Sequence, residues 1–364
     1  MIYLDHGATS FPKPPQVLVA VNRALRQCAN PGRGGHRQAM AAARTVLACR
    51  EKAASLFDCQ PEQVVFTSNC THGLNIAINT LVKSGGKVVI SGFEHNAVLR
   101  PLHALQADIR VAGRRLFDPG DTIDAFEKAL KQGADCAVFT HVSNVFGYIL
   151  PVEELSVLCR RYGVPFIIDA AQSAGSLPVH MTALGADFIA MPGHKGLLGP
   201  QGTGILLCGR LPKPLLYGGT GSMSASRQMP DFLPDRLEAG TVNVPGIAGL
   251  QAGMEYLTRV GMDDIFRREQ TMAAYCVRAL KEKGWKVFGG APQCGTVSFL
   301  PKEDCEVFAQ RLADRNIALR AGLHCAPLAH ESAGTLDTGT VRISFGHDAC
   351  WTKTKYLLKT LGAW

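Results

Sequence analysis

The chain has 364 residues, 46% hydrophobic and 19% charged, an ordinary globular composition long enough for more than one core, since single cores tend to split beyond roughly 250–300 residues. Its net charge of +8 comes from Lys and Arg scattered along the chain, which argues against nucleic-acid binding and suits an anionic ligand. There is no apolar run long enough to span a membrane, no leader-like charged and apolar opening, and no Cys-x-x-Cys pair among the 12 cysteines, so the expectation is a cytoplasmic protein with reduced thiols, without membrane contact or a structural metal.

In chain order, residues 1–15 are rich in Pro and Gly and predict an extended arm. Residues 16–245 read as a larger α/β unit. Apolar, β-branched runs at 63–68, 87–91, 136–141, 165–170, 188–191 and 203–207 predict buried strands, and 71–81, 124–131 and 152–162 predict helices between them. That alternation indicates a mainly parallel sheet. From 246 to 364 the texture changes to a smaller α+β unit. A long helical stretch over 247–283 is followed by "GTVSFL", a helix near 304–315, "NIALRAG", "TVRISFG" and a last helix near 351–361.

Ligands of open α/β sheets gather where the strands end, so the polar residues after each run are the candidates. "TSNCTHGLN" supplies Thr71 and His72 at a helix start whose free N–H groups can hold a phosphate. "GFEHNAVLRP" supplies Glu94 and His95, "THVSNVFGYILP" Asn144, and "IIDAAQSAG" Asp169 and Gln172. An aspartate closing an apolar strand needs a cation or hydrogen-bond donors. "FIAMPGHKGLLGPQGTGILL" sets a single lysine, Lys195, among five glycines between two apolar runs. Burial there would lower its pKa toward a reactive amine. On these residues alone, Lys195 serves equally as an exposed turn, Thr71 as a plain helix cap and His95 as a structural loop histidine. Together, an aspartate and a lysine at neighbouring strand ends are what pyridoxal phosphate requires, one for the ring N–H and one for the aldehyde.

The segments "YLDHGATSFPKP", "EHNAVLRP", "THVSNVFG", "IDAAQSAG", "GHKGLLGPQGTG", "EAGTVNVPGI", "RAGLHCAPL" and "VRISF" resemble, in order, the motifs of fold-type I enzymes of the class V aminotransferase group. They are most similar to its cysteine desulfurases, a branch that includes selenocysteine lyases. The likeness runs from Tyr3 to Phe345. It implies a large domain with a seven-stranded, mainly parallel sheet, a smaller α+β C-terminal domain, and pyridoxal 5'-phosphate as cofactor. Lys195 would join the cofactor aldehyde and then act as base, and Asp169 would hold the ring nitrogen. Gln172 would meet the phenolic oxygen, His95 would stack on the ring, and Asn144 would touch the ring or the substrate carboxylate. Thr71, His72 and His194 would hold the phosphate, with Thr241 reaching across from the other subunit of a homodimer. Arg342, helped by Arg320, would clamp the substrate carboxylate.

The reaction itself is read at Cys325, in "LRAGLHCAPLAH". Most other cysteines lie in apolar or helical segments, whereas Cys325 sits in a Gly/Pro-flanked loop beside His324 and near Arg320, a setting that can favour an accessible thiolate. A loop cysteine can also be incidental. The resemblance makes it the nucleophile that takes the substrate sulfur as a persulfide, releasing alanine from L-cysteine. Its compact segment is similar to the short-loop branch, which passes sulfur to a separate acceptor protein. Pro192, Cys70 and Leu323 depart from the serine, threonine and histidine frequent in relatives, which implies a divergent subgroup. L-selenocysteine as substrate, an aminotransferase reaction and a non-catalytic carrier of the same fold are the alternatives.

Overall fold

The computed structural model describes residues 1–32 and 34–362. The arm opens with β1 (Ile2–Tyr3), and α1 (Pro15–Gln27) and α2 (Arg37–Phe57) follow. The central sheet is built from β2 (Val64–Thr67), β3 (Lys87–Ser91), β4 (Asp108–Ala112), β5 (Cys136–Thr140), β6 (Phe166–Asp169), β7 (Phe188–Pro192) and β8 (Gly204–Cys208). Its connections carry α3 (Cys70–Leu81), α4 (Asn96–Ala104), α5 (Pro119–Lys131), α6 (Val152–Arg161) and the short α7 (Met181–Leu184).

The strand order is β2-β8-β7-β6-β5-β3-β4, parallel except for β8, which runs antiparallel to both neighbours. The apolar runs are continuous because both sheet faces are covered. Within β5, Cys136 and Val138 join the cluster under α3 and α4, while Ala137 and Phe139 face the cluster that includes α2, α5 and α6. The sheet thus matches the expected seven-stranded, mainly parallel type. β4 gave no apolar run because it is an edge strand with only Ala112 buried.

The rest of the chain comprises α8 (Val244–Val260), α9 (Met262–Glu282), β9 (Lys286–Phe288), β10 (Thr296–Leu300), α10 (Cys305–Ala313), β11 (Ile317–Ala318), β12 (Arg320–Gly322), α11 (Pro327–Ala333), β13 (Thr340–Ser344) and α12 (Trp351–Gly362). An antiparallel sheet, β12-β13-β10-β9, packs on α9, α10 and α12 around its own core. The single helix expected over 247–283 is two helices broken at Gly261, whose φ of 90° is a left-handed value that glycine adopts without strain. α8 packs on α1 and α2 and gives Ile247, Leu250, Met254 and Leu257 to the core of the large sheet. We therefore assign α8 to the larger unit rather than dividing the chain at 245 and 246; apolar periodicity runs through both helices and marks no break there. Residues 363 and 364 of the expected smaller unit lie outside the described residues.

The arm is extended as expected, but it is also a structural member. β1 pairs in parallel with β11, Leu4 enters the core of the smaller unit, and Ser10 then reaches the Lys195 loop.

The "EAGT" segment is anchored from beneath. Buried Arg50 of α2 bonds the Val64 carbonyl and donates to Glu238 Oε2 at 2.8 Å, while Glu238 Oε1 accepts the Phe66 N–H at 2.8 Å. The Arg50 and Glu238 side chains are only 7% and 9% exposed, so removing one strands the other. Glu238→Ala is expected to cost about 3–5 kcal/mol, the usual penalty for an orphaned buried charge. Urea unfolding measures it, and a loss below about 1 kcal/mol, the ceiling for surface pairs, would show that water already compensates the guanidinium.

Candidate active site

The ends of β2, β3, β5, β6 and β7 converge on a cavity of about 200 Å³. Thr71, His95, Asn144, Asp169, Gln172, His194 and Lys195 all line it, so most of the expected set is brought together. Cys70 and Pro192 line it as well. Lys195 is half-buried on the loop between β7 and β8. That loop packs backbone to backbone against the segment after β6: a Cβ on Gly196 would fall 2.2 Å from the Ala174 carbonyl oxygen.

Burial lowers the Lys195 pKa, and the Asp169 carboxylate acts against that shift. Asp169, 2% exposed at the end of β6, is raised by burial, countered first by the Ala171 N–H and then by Lys195. Its Oδ1 accepts from Ala171 N at 2.9 Å and Cys70 Sγ at 3.5 Å. The Cys70 thiol is itself pushed well up by burial and by Asp169, so it remains a donor. Oδ1 is committed in this way on a carboxylate that lines the cavity. Asn69 caps α3 by accepting the His72 N–H, and the next helical N–H groups, at Cys70 and Thr71, have no intrahelical acceptor.

His95 caps α4, its Nδ1 accepting the Ala97 N–H at 3.0 Å, so the ring proton sits on Nε2. Burial, then the charges of Lys195 and Arg320, hold its pKa down to about 4. A neutral ring beside Lys195 results.

Cys325 is exposed, yet its loop is tied to the cavity wall. The Cys325 carbonyl accepts from Asn96 N at 2.8 Å, and the His324 carbonyl from Asn144 Nδ2 at 2.7 Å. His324 and Cys325 have φ of 49° and 57°, adjacent left-handed residues that each cost about 1–2 kcal/mol without glycine. His324 itself is buried, with Nε2 donating to the Thr340 carbonyl at 3.2 Å and its pKa pushed down to about 2 by burial and Arg342.

Several expected residues stand elsewhere. His72 turns its ring to Ser68 Oγ, 3.2 Å away, and does not line the cavity. Thr241 is exposed over a separate hollow shared with Leu47, Arg50 and Glu238. Arg320 is exposed and does not line the cavity, and its charge acts on His95 and Lys195. Arg342 is 1% exposed but its fork is already taken, Nη2 by Asp5 Oδ1 at 2.6 Å and Nη1 by the Asn144 carbonyl at 2.9 Å.

The arm is what sequence reasoning overlooked. The His194 carbonyl accepts from Ser10 N at 3.1 Å, from the Thr9 and Ser10 hydroxyls at 3.1 Å each, and from Lys13 Nζ at 2.7 Å. Gly7 O accepts from Gln172 Nε2 at 3.0 Å. "YLDHGATSFPKP" held all of these residues, but nothing in its pattern says that they meet the Lys195 loop.

The class-V aminotransferase family profile matches residues 2–357. This chain belongs to the class-V aminotransferase family. Within it, the chain is 33% identical over 363 residues to a probable cysteine desulfurase of Methanothermobacter thermautotrophicus, covering 94% of this chain and 89% of that one. A cysteine desulfurase of Thermococcus onnurineus, solved in its apo form, superposes with a TM-score of 0.91 at 32% identity, covering 100% of this chain and 94% of that one. An S-sulfonic acid form of a cysteine desulfurase from Escherichia coli gives 0.87 at 25% identity, with coverage of 100% and 94%.

In this class-V aminotransferase, burial of imidazoles carries an acid liability. His95, His141, His194 and His330 are held down to about 4 and His324 to about 2, chiefly by burial. Their unfolded pKa is near 6.5, so below that value the unfolded chain takes protons the folded one refuses. Glu94 and Glu269, raised to about 8 by burial, act in the opposite sense above about 4.5, but they are fewer. Stability is expected to fall as pH drops from about 6.5 to 4.5, read as a falling urea midpoint of cofactor-free protein. A midpoint that rises over that window would contradict the burial of these rings.

Proposed function

We propose that this protein is a pyridoxal-phosphate-dependent cysteine desulfurase that converts L-cysteine to L-alanine and holds the removed sulfur as a persulfide on Cys325. The observation that carries this reading is the exposed Cys325, whose loop is hydrogen-bonded to Asn144 on the wall of the Lys195 cavity and to the Asn96 N–H beside His95. Overall similarity to cysteine desulfurases at 33% and 32% identity supports it.

The donor set fits the cofactor: a buried carboxylate with one oxygen committed, a desolvated lysine, a neutral histidine and a helix start beside them. When bound, pyridoxal phosphate supplies an aldehyde carbon to which Lys195 and the substrate amine attach in turn, and a ring that takes up electrons from the substrate Cα. Asp169 would hold a proton against the ring nitrogen. His95 would cover a ring face, Gln172 would face the phenolic oxygen, and the N–H groups of Cys70 and Thr71 with His194 would hold the phosphate. Freed from the aldehyde, the Lys195 amine would take the Cα proton, as its lowered pKa favours. Arg342 would accept the substrate carboxylate by exchanging Asp5 for it.

The Cys325 sulfur would then attack the substrate sulfur and give up its proton. An S–S bond would form as the substrate Cβ–S bond breaks, Cβ would gain a proton, Lys195 would return a proton to Cα, and alanine would leave. Asn144 and Asn96, by holding the His324 and Cys325 carbonyls, would keep the segment that carries that thiol beside the cavity.

We also place the protein in the cytoplasm as a homodimer that hands sulfur to an acceptor protein. Exposed Leu18, Val19, Leu25, Met40 and Leu47 on α1 and α2 support pairing through these helices, and Thr241, which shares a hollow with Leu47, would then reach the partner's phosphate site.

Cofactor-loaded protein given L-cysteine and a reducing thiol is expected to form alanine, and Cys325→Ser to form none while keeping the bound cofactor's visible absorbance. Lys195→Ala is expected to lose the lysine-linked absorbance. Full alanine formation by Cys325→Ser would exclude the nucleophile, and turnover of L-selenocysteine alone would move the reading to a selenocysteine lyase. Arg342→Lys is expected to lower kcat/KM for L-cysteine about ten- to hundredfold, the worth of charge-assisted hydrogen bonds.

A further inference from the structure

A second, smaller cavity of about 50 Å³ lies behind the Lys195 loop, where the arm, α9 and the end of β13 meet. His6 of the arm and His347 line it, along with Glu269 and Lys195. Ligand-capable atoms of His6, His347 and Asp348 all lie within 4.8 Å of one another. We propose that these three residues bind one divalent transition-metal ion of the zinc class, through two imidazoles and one carboxylate oxygen.

His6 is 6% exposed, yet neither of its ring nitrogens makes a hydrogen bond. Its Nε2 stands 3.1 Å from Asp348 Oδ1, near enough to interact but not aligned as a hydrogen bond. Two donors on a tetrahedral ion with bonds of about 2.0–2.1 Å lie about 3.3 Å apart, so this spacing is that of neighbours on one ion. His347 Nδ1 is likewise buried and without a hydrogen bond.

The surroundings hold the rings in place. The His6 and His347 centroids are 6.0 Å apart, edge to face; Tyr3 packs against His6 at 5.0 Å and Tyr256 against His347 at 5.9 Å. A Cβ on Gly346 would fall 2.1 Å from His6 Nδ1, so the backbone there is shaped around the imidazole. Lys353 pairs with Asp348 Oδ2 and leaves Oδ1 to face His6.

Glu269, 7% exposed, lines the same cavity. Imidazole and carboxylate donors suit zinc, iron(II), cobalt(II) and nickel(II), and three protein ligands leave a position open toward the cavity. The ion would not touch reacting atoms. It would fasten the arm to the end of β13 one residue before Gly7, whose carbonyl holds Gln172.

The test titrates chelator-treated, purified protein with Co²⁺ alone and then displaces it with Zn²⁺. One Co²⁺ per chain is expected, with visible d–d bands and without intense thiolate-to-cobalt absorption. His6→Asn and Asp348→Asn should each weaken binding by more than the roughly 10–100-fold that even outer-shell changes cost. The exposed thiols are the rival ligands, so Cys325→Ser and Cys350→Ser should bind as the unaltered chain does. X-ray absorption on the zinc-loaded, unaltered protein reads the ligand set without any substitution, and imidazole and oxygen without sulfur are expected. Substoichiometric binding, sulfur in the shell, or full binding by folded His6→Asn would each overturn the site and leave a plain histidine–aspartate ion pair.

Discussion

Two opposite charges, on Asp169 and Lys195, must be kept largely out of water at one cavity, and much of the architecture answers that demand. Burial alone would neutralise both groups. Each is the other's counterweight: the carboxylate acts to keep the lysine charged and the ammonium to keep the carboxylate ionised. Neither can be moved independently, because Asp169 closes the central strand β6 and Lys195 rides on a loop packed directly on the residues that follow that strand. The sheet's parallel order delivers these groups to one edge, and the helices on both faces make that edge dry enough for the charges to matter.

The arm completes the enclosure. Its backbone and side chains focus donors on the carbonyl of His194, immediately before the lysine, and Lys13 places a second ammonium there. Burial holds the pKa of that second amine to about 8, and His194 is kept neutral first by its own burial and then by the charges of Lys195 and Lys13. The same short segment supplies Asp5 to Arg342 and Gly7 to Gln172. A stretch of chain that looks like a disposable terminus therefore determines how several cavity groups are presented.

Much of this was legible in the residues. Strands β3, β5 and β6 announced themselves because strands covered on both faces read as unbroken apolar runs, and their terminal polar residues then fell at one edge by topology. What escaped has a physical cause in each case. β4, at the sheet edge, lacks the burial that writes a pattern. Gly261 breaks two helices through a backbone angle, while the apolar period continues across it. The roles of Thr9, Ser10 and Lys13 depend on contacts nearly the length of a domain away in sequence, which no local pattern encodes. His72 shares a helix start with Thr71, but successive helical residues point about 100° apart, and only one of them faces the cavity.

Cys325 belongs by chain order to the smaller unit, yet its two local carbonyl tethers run to Asn96 and Asn144 of the larger one. Mechanically, the thiol is a fitting of the large sheet mounted on a borrowed stalk. Any swing of the smaller unit that widened the cavity would have to unlatch both amides first. Opening the cavity there and withdrawing the cysteine are thereby coupled, because the segment that carries the thiol cannot leave the larger unit while both hydrogen bonds hold.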